Sequence, residues 1–153
     1  MTQDLLFKLE AIEEIRALKA RYCRAMDTKD WAALQAVFAP DALFDMRSGA
    51  GEAASARDVY RGAETIVAFM RASVEPLVTA HHVFAPEIDI LSEGRASAVW
   101  AMQDLLIAPA DTPLPFRRLY GAGHYHETYV RLQGRWVIQS LRLSRLHVET
   151  HSP

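Results

Sequence analysis

The hydrophobic pattern of this 153-residue chain changes period once, near Pro76, and that change limits the folds open to it. Before it, apolar residues recur at steps of three and four; after it, they alternate every second position. Leu5, Leu9, Ile12, Ile15, Leu18, Tyr22 and Met26 form one face of a helix, with Glu10, Glu13, Glu14 and Arg16 on the other. Thr28 and Asp30 are capping residue types, so this helix is expected to stop at Asp27. A second helix, carrying Trp31, Leu34 and Phe38, then begins in another register, and Pro40 is expected to close it because proline cannot continue the backbone ladder. Ala42 to Met46 reads as a short strand, residues 47–56 as a mobile loop of small residues, and the stripe Ile66, Phe69, Met70, Val74 and Leu77 as a third helix starting from Gly62.

Five strands are expected beyond the change of period: Val78 to Phe84, Glu87 to Ser92, Arg95 to Ile107, Arg117 to Leu132 and Arg135 to Glu149. Turn signals stand at Glu93-Gly94 and Gln133-Gly134, and the proline-rich residues 108–115 make a loop between two long strands. Helices followed by a meander predict one α+β domain over residues 1–153, with the helices packed on one face of an antiparallel sheet. Strands this long must twist and coil, so the sheet curves around the helices and encloses a pocket.

Composition narrows the function. Half the residues are apolar and 24% charged, as in ordinary soluble globular domains. A net charge of −2 gives no basic field for nucleic acid or an anionic membrane, and no apolar run is long enough to span a bilayer. The start, Met1-Thr2-Gln3-Asp4, lacks the features of a signal peptide, so cytoplasmic residence is expected. Cys23 is alone, which excludes an intramolecular disulfide, and its helical position marks it as a packed residue rather than a nucleophile.

Polar groups fall where the pocket is expected: Tyr22 on the apolar face of the first helix, Asp27 at its end, and the adjacent pair His81-His82 in the first strand, of which one points inward. Together they allow a His-carboxylate dyad, in which Asp27 fixes the imidazole tautomer and leaves its other nitrogen as a base. His124 and His126 share one face of a strand, an arrangement open to zinc if His81 or Asp27 adds a third ligand. The alternative is that one face of this strand supplies pocket polarity, through His124 and His126 or through Tyr125 and Glu127. Phe44 and Phe69 suit the wall of an apolar pocket as well as a core.

Arg21-Tyr22, the corner Met26-Asp27-Thr28-Lys29-Asp30-Trp31, Phe38-Ala39-Pro40-Asp41-Ala42, Thr79-Ala80-His81-His82-Val83, the run from Gly123 to Arg131 and Gly134-Arg135-Trp136 resemble the SnoaL-like branch of the nuclear transport factor 2-like superfamily. The resemblance runs from about Leu9 to Leu143 and implies a cone-shaped α+β fold with a deep pocket, usually dimeric and with no metal or cofactor. It is similar at Asp27 to Trp31 and at His81 to scytalone dehydratase, and its Asp27 and His81 match the dyad of a hexachlorocyclohexane dehydrochlorinase, which selects His81 over His82. Met26 stands where the dehydratase has a tyrosine, and Tyr22 where the dehydrochlorinase has a lysine, which disfavours dehalogenation.

The expected function is a cofactor-independent lyase or isomerase, with dehydration preferred, acting on a small, hydrophobic, cyclic molecule. His81 moves the proton, Asp27 orients it, Tyr22 stabilises the developing oxyanion, and Phe44, Phe69, Tyr125, His124 and His126 line the pocket. The alternative is a non-catalytic module of the same fold that binds a small molecule or a partner, in which His81 and Asp27 lie out of reach of each other. A homodimer is expected to bury the open face of the sheet.

Overall fold

A computed structural model describes residues 3–47 and 57–152. Helix α1 (Gln3–Thr28), the short α2 (Trp31–Ala36), strands β1 (Phe38–Asp45) and β2 (Val59–Arg61) and helix α3 (Ala63–Val74) precede four long strands, β3 (Val78–Ser92), β4 (Arg95–Ile107), β5 (Arg118–Leu132) and β6 (Arg135–His151). The six strands form one curved, unclosed sheet in the order β2-β1-β6-β5-β4-β3. All neighbours are antiparallel except β1 and β6, which run parallel. This is the expected α+β architecture. The parallel pair arises because the chain returns to β1 only through β6, at the far end of the meander.

Alternation in the long strands sets the layers. In β5, Gly121, Gly123, Tyr125, Glu127 and Tyr129 are buried, while the residues between them are partly exposed. The inward set packs against Ala11, Ile15, Leu18, Tyr22, Cys23 and Met26 of α1, and Ile66, Val67 and Met70 of α3 complete the same core. Leu5 and Leu9, at the start of the helical stripe, remain 45% and 46% exposed, so burial along α1 begins only at Ala11.

Two local expectations are corrected. The second helix ends at Ala36, and Phe38 and Pro40 belong to β1, where the register against β6 shifts between Phe38 and Leu43. A proline is tolerated at such an irregularity because no ladder N–H is required there. The two strands expected on either side of residues 85–86 are a single strand, β3, bent at Ala85 (φ 33°) with a register shift between Phe84 and Glu87. Being at the sheet edge, β3 accommodates Pro86 without a broken central ladder. The three-residue β2 at the opposite edge has too few residues for a period to show. Most of the loop expected over residues 47–56 lies outside the described residues.

Candidate active site

The corner between α1 and α2 is built by backbone geometry. Asp30 N–H donates to the Ala25 carbonyl at 2.9 Å and Lys29 N–H to the Met26 carbonyl at 3.3 Å, with Lys29 in the left-handed region at φ 61°. This closure is of the Schellman type, ending α1 with a left-handed residue. Asp30 then caps α2, its side chain accepting from Ala33 N–H at 3.0 Å. The turn leaves Asp27 in the last turn of α1, facing β3.

Asp27 is held from three directions. Its Oδ1 lies 2.6 Å from His81 Nδ1 and accepts from Thr79 Oγ1 at 2.9 Å, while its Oδ2 accepts from the backbone N–H of His81 at 2.8 Å. Lys29 Nζ donates to Thr79 Oγ1 at 2.8 Å, extending the chain by one group. Burial alone would raise the Asp27 pKa, but the His81 side-chain and backbone hydrogen bonds, with that of Thr79, hold it below the ordinary carboxylate value. An ionised Asp27 can only accept, so Nδ1 of His81 carries the proton and Nε2 is the basic nitrogen. Burial lowers the Lys29 pKa, against a raising influence from Asp27.

His81 opens onto a cavity of about 170 Å³ between the helices and the inner sheet face. Met26, Phe44, Phe69, Met70 and Leu143 give it apolar walls, and Tyr22 and Tyr125 give it two phenols. The phenol rings meet edge to face at 5.9 Å between centroids. Burial and their mutual interaction push the Tyr22 pKa well above its ordinary value, and burial with nearby Asp104 does the same for Tyr125. Both tyrosines are therefore neutral donors at physiological pH.

The remaining polar wall is an ion pair. Arg145 Nη1 and Nη2 donate to Asp104 Oδ1 and Oδ2 at 2.8 and 2.7 Å, a bidentate fork. Asp104 is on β4 and Arg145 on β6, so the guanidinium crosses the inner face of β5 between them. It passes over Gly121, where a Cβ would overlap both Arg145 Nη1 and Asp104 Oδ1. Burial opposes the Arg145 charge, but Asp104 keeps its pKa raised.

The structure thus brings Tyr22, His81, Phe44, Phe69 and Tyr125 to one cavity, with Asp27 bound to His81 behind its wall. It does not bring His124 and His126 there. Alternation in β5 turns them to the outer sheet face, where His126 Nε2 pairs with Ser144 Oγ at 3.0 Å, and Tyr125 and Glu127 face inward instead. His81 and Asp27 cannot join these two histidines from the opposite face, and among the described residues no three His, Cys, Asp or Glu side chains gather as a metal-ligand group. His82 is exposed. Cys23 is buried, and burial pushes its thiol up to about 11, so it is inert packing.

Thr79, Lys29, Asp104 and Arg145 were not singled out by sequence reasoning. Thr79 sits two residues before His81 in a strand, and that spacing places both on one face. Arg145 follows Leu141 and Leu143 at the inward parity of β6.

The SnoaL-like domain model matches residues 8–142, nearly the whole chain. The chain belongs to the SnoaL-like family. Within curated proteins, this SnoaL-like chain is 27% identical over 143 residues to "Probable cyclase FGR4" of Gibberella zeae, covering 90% of this chain and 93% of that one. Its fold matches a solved hexachlorocyclohexane dehydrochlorinase (LinA) Type2 with a TM-score of 0.79 at 15% identity, over 96% of this chain and 93% of that chain. It matches a "Putative Scytalone Dehydratase" from Novosphingobium aromaticivorans with a TM-score of 0.80 at 17% identity, over 96% and 91%. At these identities the solved structures establish a shared SnoaL-like fold. Among the described residues, no helix of this SnoaL-like protein is long and apolar enough to cross a membrane.

Proposed function

We propose that this protein is a cofactor-independent lyase or isomerase that works by proton transfer at His81, and that dehydration is its reaction. The observation that carries this reading is the 2.6 Å contact between His81 Nδ1 and Asp27 Oδ1 at the edge of an apolar cavity. It supports catalysis over the binding-module alternative, which needs these groups apart. A relative named as a cyclase, and neighbours named as a dehydratase and a dehydrochlorinase, support the same class.

In this reading His81 Nε2 takes a proton from the carbon beside a carbonyl, and the electron pair moves onto the carbonyl oxygen. Tyr22 and Tyr125 donate to that oxygen as charge develops. When the enolate collapses, the bond to a β-hydroxyl breaks and the imidazolium returns its proton to the leaving oxygen, so water departs. Asp27 balances the imidazolium without moving a proton itself. A cavity of about 170 Å³ with aromatic and thioether walls suits a molecule of one or two rings.

A second copy is proposed on the outer sheet face, where Asp45, Glu87 and Asp89 lie near Arg142 across a hollow of about 420 Å³, a pattern able to complement itself about a two-fold axis. The single, buried Cys23 fits a reducing, cytoplasmic setting.

The test offers a panel of cyclic β-hydroxy ketones and follows growth of the conjugated-enone absorbance. The wild type should dehydrate members of the panel and His81→Ala should not. Compounds that bind the wild type without reacting would instead favour the binding module.

A further inference from the structure

Lys19 is fully buried one turn before Tyr22 in α1, a costly place for an ammonium. Its Nζ lies 3.8 Å from the ring centroid of Tyr22 and 3.8 Å from that of Tyr125, so it is gripped between the two phenols that line the cavity. Behind it, Glu127 accepts from Lys19 and from the Tyr129 hydroxyl, and Trp100 Nε1 donates to that hydroxyl at 2.9 Å. Every polar group in this buried set has a partner. Packing alone does not explain it, since well-fitted apolar residues commonly replace a buried ion pair without loss of stability.

Tyr22, Tyr125 and Arg145 line the same cavity, and Lys19 lies against the ring faces of both phenols. A cation against the face of a phenol draws electron density from it, and a water-poor site strengthens the effect. We infer that Lys19 is a positioning residue that acts through Tyr22 and Tyr125, making the cavity select an anionic oxygen over its neutral counterpart. The ligand class is a phenolate or enolate on one or two rings. This rests on reading Tyr22 and Tyr125 as the donors of the proposed reaction.

The test needs no turnover, so it separates this inference from the catalytic one. Affinity for 4-nitrophenolate, at a pH where the probe is ionised, is compared with affinity for neutral nitrobenzene by calorimetry. The wild type should prefer the anion. Lys19→Met combined with Glu127→Gln, which removes both charges and leaves no unpaired one, should weaken anion binding about tenfold and leave nitrobenzene unchanged. Tyr129→Phe alone keeps the Lys19–Glu127 pair and should not weaken the anion. Failure of the wild type to prefer the anion, a preference that survives in the double variant, or equal losses for both probes would each overturn the proposal. Loss of the anion preference in the double variant alone supports it, whether or not a dehydration substrate is found.

Discussion

Asp27 holds His81 by both its ring and its backbone: one carboxylate oxygen faces Nδ1 at 2.6 Å and the other accepts the main-chain N–H at 2.8 Å. The second bond fixes where the strand places the ring, and the first fixes how the ring is turned and which nitrogen carries the proton. Asp27→Asn keeps the shape but offers an uncharged acceptor and an amide donor to Nδ1. Turnover should fall by about 10²–10⁴-fold with little change in substrate binding, measured as kcat against KM, while circular dichroism shows the fold intact.

The same carboxylate gives stability a defined pH dependence. Its folded pKa lies below the ordinary 3.8, so ionised Asp27 stabilises the fold above that value, and the contribution is lost as pH falls toward and through the lowered one. Wild type and Asp27→Asn should therefore differ most in denaturant midpoint near neutral pH, and the gap should close in acid. A gap that stays constant down to the acid limit contradicts the assignment.

Gly121 is the gap through which Arg145 reaches Asp104 across β5. Gly121→Ala should push the guanidinium aside and leave Asp104, 4% exposed, without its partner. The expected cost is about 1–3 kcal/mol of unfolding free energy, read from urea denaturation, together with altered ligand affinity because Arg145 is part of the cavity wall.

His124 and His126 face away from the cavity. Replacing either with alanine should leave turnover within about twofold, since surface changes of this kind shift stability by only about 0.5 kcal/mol. Tyr125→Phe, one residue between them, should lower kcat by about tenfold or more through loss of one donor. A strong effect at the histidines with none at Tyr125 would reverse the reading of β5.

Much of this was legible from periodicity. The helical stripe of α1, the meander of long strands and the enclosed pocket follow from where apolar residues recur, and Asp27 stood out because a carboxylate at the end of an apolar stripe has no packing reason. Two things were hidden. The parity of β5 was undetermined, because His124 and His126 alternate with Tyr125 and Glu127 and either set has enough polarity for a pocket; only the neighbouring strands decide which faces α1. The pairing of Arg145 with Asp104 depends on two strands that are not adjacent, joined over a glycine, and no spacing within either strand reports it. Lys19 was closer to hand. It lies four residues after Ile15 and three before Tyr22 on the buried stripe, where a charge is conspicuous.

Proton abstraction by His81 is open to one direct measurement that needs no knowledge of the product. Cyclic ketones are incubated with the protein in deuterium oxide, and loss of the proton signal beside the carbonyl is followed by nuclear magnetic resonance. The wild type should exchange that proton at a rate well above buffer, and His81→Ala should return it to the buffer rate while still binding the ketone. Equal exchange by the wild type and His81→Ala would contradict the account.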